Sequence, residues 1–409
     1  MKIERLKERL QIRDQKLKVL LELTQAINQN LSTKELIARF REIVEEDLRF
    51  SRLSLILKIG EEWKMPLSYG SKFKFRATYI EDYFLPIKSI ELVHTNPEDV
   101  FDGFDLFIPV LHEERPLAYL LIGDVSDDEG EVSPIIKHMR FVQTLTNLIA
   151  VAIDNKALFE KSLEQERIQT ELNLAAEMQA LLVDSGTKKF KSFEVSTYYK
   201  PHQQVGGDFF DFIELNENDA FFCVADVSGK GVSAAFLMSN IQAHLRALLK
   251  YTDWTLETLA HELNDKVNET VNGDRFVTLF MGYFNGSERS LSYVNCGHNP
   301  PVLHSDNKTR LLESGSVGIG MLPKLPFVNS DKLSLSKNAR LVCYTDGVVE
   351  IEDENEEEFG YNRIAEILKN ENDLNDMEDM VTRIIKELDN HRGQNPYFDD
   401  TALLCCRFD

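Results

Sequence analysis

The stretch from Val205 to Asp226, VGGDFFDFIELNENDAFFCVAD, constrains this chain more than any other. A Gly-Gly-Asp turn feeds an aromatic strand, a polar turn follows at Asn216 to Asp219, and the apolar run Ala220 to Ala225 stops abruptly at Asp226. That run has the length and composition of a central strand buried on both faces. A carboxylate at the end of such a strand needs a partner.

The same event recurs downstream. Arg340 to Thr345 (RLVCYT) is an apolar strand that stops at Asp346-Gly347, and Asp399-Asp400 immediately precede another, Thr401 to Phe408 (TALLCCRF). With Asp208, four acidic points lie at strand ends, far apart along the chain. If those ends meet, the carboxylates repel one another and must take up protons or cations. Hard divalent ions with oxygen ligands, magnesium or manganese, suit such a cluster.

At 409 residues the chain is long for one domain and sufficient for two plus connecting helices. A formal net charge of −22 argues against nucleic acid or an anionic membrane surface as the principal partner. Of the five cysteines, Cys223, Cys343, Cys405 and Cys406 lie in apolar strand-like runs and Cys296 precedes Gly297. Without a CxxC pair or zinc spacing they read as reduced core thiols, which points to a cytoplasmic setting. MKIERLKERL reads as a charged helix rather than a signal peptide. No apolar stretch approaches the roughly 18 residues of a membrane span, so no direct membrane insertion is expected.

In chain order, residues 1–30 carry a heptad seam at Ile3, Leu6, Leu10, Arg13, Leu17, Leu20, Thr24 and Ile27, predicting a coiled-coil helix and a homodimer. The alternative is one amphipathic helix lying on the next domain. Residues 31–155 read as an α/β domain: a capping signal at Ser32-Thr33 opens a helix through Val44, strands follow at 53–59, 89–93, 106–111 and 117–122, and a helix starts near Pro134. From Ile135 to Val183 there is no glycine, so one or two long helices form a linker, 156–185. Its weak seam through Val151, Leu158, Ile168, Leu172, Ala175 and Leu182 suits a switchable coiled coil. Residues 186–409 alternate short strands with helices at 234–251, 256–272, 361–369 and 377–389, predicting an α+β sandwich with sheets inside and helices outside. Acidic Glu350 to Glu358 reads as a solvated loop.

Two resemblances follow. The layout of residues 31–155, with the run PLAYLLIGDVS, resembles a GAF sensor domain, and no ligand-binding residue carries over. The second is more specific. GGDFFD (206–211), DVSGKGVSAAFLMS (226–239), FVTLFMG (276–282), NCGHNPP (295–301), YTDGVVE (344–350) and FDDTALL (398–404) occur in the order and approximate spacing of the SpoIIE-type branch of the metal-dependent protein phosphatase (PPM, protein phosphatase 2C-like) superfamily. The match spans residues 175–409, and six blocks in order are specific where any one alone is weak.

That resemblance implies a PPM-type β-sandwich flanked by helices, with two Mn2+ or Mg2+ ions, hydrolysing phosphoserine or phosphothreonine. By position, Asp226 resembles the carboxylate bridging both ions and the Val227 carbonyl a further ligand. Asp208 resembles a ligand of one ion, Asp346 and Asp399 ligands of the other. Between Asp399 and its neighbour Asp400 the sequence does not decide, and Asp399 is favoured. Paired ions activate a water for attack on phosphorus, so no enzyme nucleophile is required. This suits a chain with no Ser-His-Asp pattern and no cysteine in a phosphate loop. Ser228 stands where eukaryotic relatives carry histidine, as in the rest of the branch, and the phosphate-binding side chain is unassigned. The typical substrate within the branch is a phosphorylated STAS-domain anti-sigma-factor antagonist, so the resemblance implies a partner-switching role under N-terminal control. The competing expectation is a non-catalytic phosphoprotein-binding scaffold, for which four retained carboxylates have no purpose.

Other features read as structural. Gly229-Lys230-Gly231 fails as a phosphate loop, because Val224 and Gly231 stand at its required Gly and Ser/Thr positions. Its glycines suit a tight turn beside the metals. His298 reads as a turn histidine, Lys230 as a solvated or phosphate-steering charge, and Asp211 as outer-shell or surface.

Overall fold

A capping box starts the second helix of the chain, as the sequence predicts. The Ser32 hydroxyl accepts the Glu35 N–H, and the Glu35 carboxylate accepts the Ser32 N–H at 2.7 Å, so two open backbone donors are satisfied. The computed structural model describes residues 2–93, 100–101, 103–112, 114–123, 134–183, 185–252, 254–271, 273–369 and 376–409. Two compact units divide the chain, Met1–Arg167 and Ile168–Asp409.

The N-terminal unit contains α1 (Lys2–Asn28), α2 (Thr33–Glu42), strands β1 (Arg52–Ile59), β2 (Glu62–Tyr69), β3 (Glu91–Leu92), β4 (Leu106–His112) and β5 (Arg115–Gly123), and the start of the long helix α3 (Pro134–Ala180). The strands form one antiparallel sheet in the order β2-β1-β5-β4-β3. Alternation decides its two faces. Leu53, Leu55 and Leu57 pack with Phe40 of α2 and Leu145 and Ile149 of α3, whereas Ile56 joins Phe84, Phe107 and Tyr119 in an aromatic cluster on the other side.

Three predictions need adjustment here. Strand β2 is an addition to the sequence reading: exposed residues alternate with partly or fully buried ones, and it carries Pro66, as an edge strand tolerates. The predicted strand 89–93 shortens to Glu91–Leu92. In α1, Leu20 and Ile27 pack against the unit's own core with Leu23 and Ala26, while Leu10 and Leu17 are exposed. The side chains of Ile3 and Leu6 lie outside the described residues. The second half of α1 therefore follows the alternative of a helix lying on its domain.

The C-terminal unit begins in the last turns of α3 and continues through β6 (Gly186–Lys189), β7 (Phe193–Lys200), β8 (Phe209–Glu214), β9 (Asp219–Val227), α4 (Val232–Tyr251), α5 (Leu256–Val271), β10 (Val277–Asn285), β11 (Ser290–Cys296), β12 (Val302–Ser305), β13 (Lys308–Leu311), β14 (Gly315–Ser316), β15 (Asp331–Ser334), β16 (Ala339–Tyr344), α6 (Asp346–Val349), α7 (Gly360–Lys369), α8 (Met377–Arg392) and β17 (Thr401–Phe408). One sheet runs β14-β11-β10-β9-β8 with β15 beside β11, and the other runs β13-β12-β16-β17-β7-β6. They pack face to face through aromatic contacts such as Phe222 and Phe284 against Phe408, at centroid distances of 6.4 and 4.6 Å. Helices α4 and α5 cover the first sheet, and α7 and α8 cover the second. This is the predicted α+β sandwich.

Strand alternation explains the adjacent thiols: Cys405 packs toward α7 and α8, while Cys406 points into the sandwich. All five cysteines are free and buried. The predicted helix 256–272 ends at Val271, and Asn272 lies outside the described residues. The predicted linker 156–185 is helical as far as Ala180, as the second half of the single 47-residue helix α3.

Candidate metal centre

Asp226 lies near the end of β9, where it pairs in register with Thr278 of β10. Asp208 sits directly before β8, and Asp346 opens the one-turn helix α6 directly after β16. Asp399 and Asp400 precede β17, the neighbour of β16. The two sheets thus deliver their acidic ends to one edge of the sandwich.

The Gly206-Gly207 turn brings Asp208 there. A Cβ on Gly206 would collide with the Tyr199 hydroxyl and the Asp400 carboxylate, and one on Gly207 would lie 2.8 Å from the Val227 carbonyl oxygen. Only glycines let the backbone pass so close. Asp400 holds the turn by accepting N–H groups from His202 and Gly207, both at 2.7 Å, and from Asp208 at 3.5 Å.

Electrostatics at this edge are unfavourable without added positive charge. Burial raises the Asp208 carboxyl well above the usual carboxylate range, and the charges of Asp226 and Asp400 push it further. Burial also raises the pKa of Asp226, its neighbour at this edge. Asp346 is pushed up to about 7, first by burial and then by Asp226 and Asp399. One oxygen of Asp208, Oδ2, is buried without a hydrogen-bond partner. A hard-oxygen donor set, short of positive charge and with an orphaned carboxylate oxygen, fits divalent magnesium or manganese. Among the described residues no three His, Cys, Asp or Glu side chains already converge at metal-ligand spacing.

Asp399 and Asp400 differ in what they touch. Asp400 is 5% exposed and engaged by backbone N–H groups, whereas Asp399 Oδ2 faces the Lys230 ammonium at 2.8 Å. Lys230 is therefore not simply solvated; its Nζ also donates to the Phe398 carbonyl. Gly229 and Gly231 on either side have φ of 89° and 77°, the tight turn expected of them.

Asp211 corrects its expectation as an outer-shell or surface residue. It is buried and accepts two hydrogen bonds from Arg246 of α4, at 2.6 and 2.8 Å. His298 is buried, bonded through Nδ1 to Thr278 Oγ1 at 2.9 Å, and burial lowers its pKa to about 4, consistent with a structural histidine. Several neighbours escaped sequence reasoning. Thr345 partly offsets the raised Asp208 pKa, and the Gln179 amide donates to the Gly206 carbonyl. Arg275 donates to the Ser228 carbonyl and the Ser233 hydroxyl on the loop that follows Asp226. Its place directly before the FVTLFMG block was the available signal.

A two-sheet sandwich between paired helices, with carboxylates gathered at one edge, is the architecture of the PPM-type (protein phosphatase 2C-like) fold. Residues 216–409, just under half of the chain, match the family described as Stage II sporulation protein E (SpoIIE). The matched segment contains Asp226, Asp346, Asp399 and Asp400, and Asp208 lies just before it. Over 326 residues the chain is 27% identical to "Phosphoserine phosphatase RsbU" of Bacillus subtilis, covering 77% of this chain and 84% of that protein. It is 26% identical over 276 residues to "Protein IcfG" of Synechocystis sp., covering 61% of this chain but only 43% of IcfG. Among solved structures, the SiaA-PP2C domain of Pseudomonas aeruginosa shares the fold with a TM-score of 0.52 and 18% identity, covering 60% of this chain and 99% of that domain.

Proposed function

We propose that this protein is a metal-dependent serine/threonine phosphatase acting on a phosphorylated regulatory protein, with a STAS-domain antagonist as the substrate class. The single observation that carries the reading is buried Asp208, its Oδ2 left unpartnered, gathered with half-buried Asp226 and with Asp346 and Asp399 at one edge. Asp226, the Val227 carbonyl and Asp208 would hold one of two Mn2+ or Mg2+ ions, and Asp226, Asp346 and Asp399 the other. When bound, the ions supply an activated water and offset charge on the phosphoryl group. The hydrogen bonds support Asp399 over Asp400 as the ligand, because the Asp400 oxygens are engaged by the turn that carries Asp208. Lys230 and Arg275 bring positive charge to the same edge and are the candidates for receiving the phosphate.

The N-terminal unit is read as a GAF-like regulatory module; helices on one face of a five-stranded sheet support that reading. Exposed Leu10, Leu17, Leu158 and Ile168 support dimerisation through helices. Buried free thiols are compatible with a cytoplasmic setting, and among the described residues no helix is long and apolar enough to cross a membrane. Purified protein supplied with Mn2+ should release phosphate from a phosphoserine STAS protein and lose that activity on Asp226→Asn. An unchanged rate in that variant would remove the assignment.

A further inference from the structure

The last turn of α3 carries a glutamine whose side chain behaves like a length of backbone. Gln179 is 6% exposed, its Nε2 donates to the Gly206 carbonyl at 2.7 Å, and its Oε1 accepts the Gly206 N–H at 3.0 Å. A primary amide offers donor and acceptor in one plane, so it closes on both polar groups of one residue as a neighbouring strand would. Gly206 stands two residues before Asp208, in the turn that Asp400 grips from the other side through the Gly207 N–H. Because both glycines lack side chains, these hydrogen bonds, rather than packing by a Cβ, set the path of the turn. A second tie lies one turn further along the chain, where the Leu182 carbonyl accepts from Gln242 Nε2 of α4 at 2.9 Å. The end of α3 is thereby bonded both to the segment leading into Asp208 and to the helix that follows the Asp226 loop.

We propose that Gln179 is a positioning residue of the metal centre, its carboxamide fixing the Gly206-Gly207 turn so that Asp208 is presented to the ion. This rests on the reading of Asp208 as a metal ligand. Gln179 does not itself reach the ion or the substrate, since both of its polar atoms are committed to Gly206. Its loss acts through Asp208, weakening ion binding while leaving the substrate surface intact. The connecting helix thus ends as part of the site, and a displacement of its last turn reaches Asp208 through two hydrogen bonds.

The test is calorimetric titration of Mn2+ into full-length wild type, Gln179→Ala and Gln179→Glu, with melting temperatures of the metal-free forms and kcat and KM at saturating Mn2+. Removing a residue that orients a ligand weakens metal binding by about 10- to 100-fold. Gln179→Ala should show a loss of that order with KM for the phosphoprotein unchanged at saturating Mn2+. Gln179→Glu, which keeps an acceptor for the Gly206 N–H but no donor for its carbonyl, should fall between. A wild type that binds no Mn2+ overturns the ligand reading itself. A wild type that binds, beside a Gln179→Ala protein that melts earlier yet binds equally well, overturns the positioning role and leaves the metal centre standing. If Gln179→Ala does not fold, equal affinity in Gln179→Glu and wild type overturns it in the same way.

Discussion

The Lys230 ammonium lies 2.8 Å from Asp399 Oδ2, an ion pair on the loop that follows Asp226. If Asp399 is a metal ligand, as proposed, lysine and metal ion compete for one carboxylate. The pair is partly exposed, so its worth is that of a surface ion pair, about 0.2–1 kcal/mol. Lys230→Gln should tighten Mn2+ binding about two- to fivefold, since the ion no longer displaces an ammonium and meets less positive charge. Calorimetry on the metal-free protein checks this, and unchanged or weaker binding would show that Asp399 is not a ligand.

Asp399 and Asp400 should separate cleanly by their effects. Asp400→Ala strips acceptors from the His202 and Gly207 N–H groups, and hydrogen bonds to charged groups are worth enough that stability should fall by roughly 3 kcal/mol. Asp399→Ala should leave the metal-free protein's denaturant midpoint nearly unchanged and abolish phosphatase activity. Equal loss of stability in both variants would contradict the division of roles.

Arg246 is bound to the buried carboxylate of Asp211 through two hydrogen bonds, tying α4 to β8. Arg246→Ala would leave that buried charge without its cation, held only by the Phe212 N–H at 2.8 Å and Gln242 Nε2 at 3.4 Å. Because the arginine is half exposed and water can reach the gap, the cost should be about 2 kcal/mol, below that of a fully buried pair. Urea denaturation of the single and double variants checks it: Asp211→Asn added to Arg246→Ala should recover part of the loss.

Stability against pH reports on Asp346. Its carboxyl is held at about 7 in the metal-free fold, so between the ordinary carboxylate range and pH 7 the native state keeps a proton that the unfolded chain has lost. Stability from this group therefore falls as pH rises through that window and stays low above it. Asp346→Asn removes the dependence. Without metal, the variant should exceed wild type in stability by roughly 1–2 kcal/mol at pH 8, after allowing for partial exposure, and by less at pH 5. Differential scanning calorimetry at the two pH values measures the gap, and saturating Mn2+ should close it, because bound ions favour the ionised carboxylate. A gap that is constant with pH would show that Asp346 is not proton-linked.

Much of this architecture was legible in the sequence because its strands are extreme. Ala220 to Ala225 and Leu341 to Tyr344 are continuous apolar runs that lead into carboxylates, and burial on both faces leaves them no other reading. Strands β6, β13 and β15 escaped notice because edge strands are short and half-exposed, with no run or alternation long enough to mark them. At the site, the carboxylates could be picked out by their position at strand ends. Asp211 could not be placed, since its partner Arg246 lies 35 residues away on a helix face that looks like ordinary solvated surface. Gln179 was invisible for a similar reason: an amide in a polar helical stretch gives no sign that it will bond to backbone 27 residues away. Side chains that serve backbone groups leave no pattern, because the backbone they serve has no sequence.

The central claim, that Asp208, Asp226, Asp346 and Asp399 together hold divalent ions, is tested most directly by titrating Mn2+ into the full-length protein and into Asp226→Asn under calorimetry. Saturable binding by wild type, and its loss or severe weakening in Asp226→Asn, is the predicted result. Identical isotherms for the two proteins, or no binding by wild type, would contradict it.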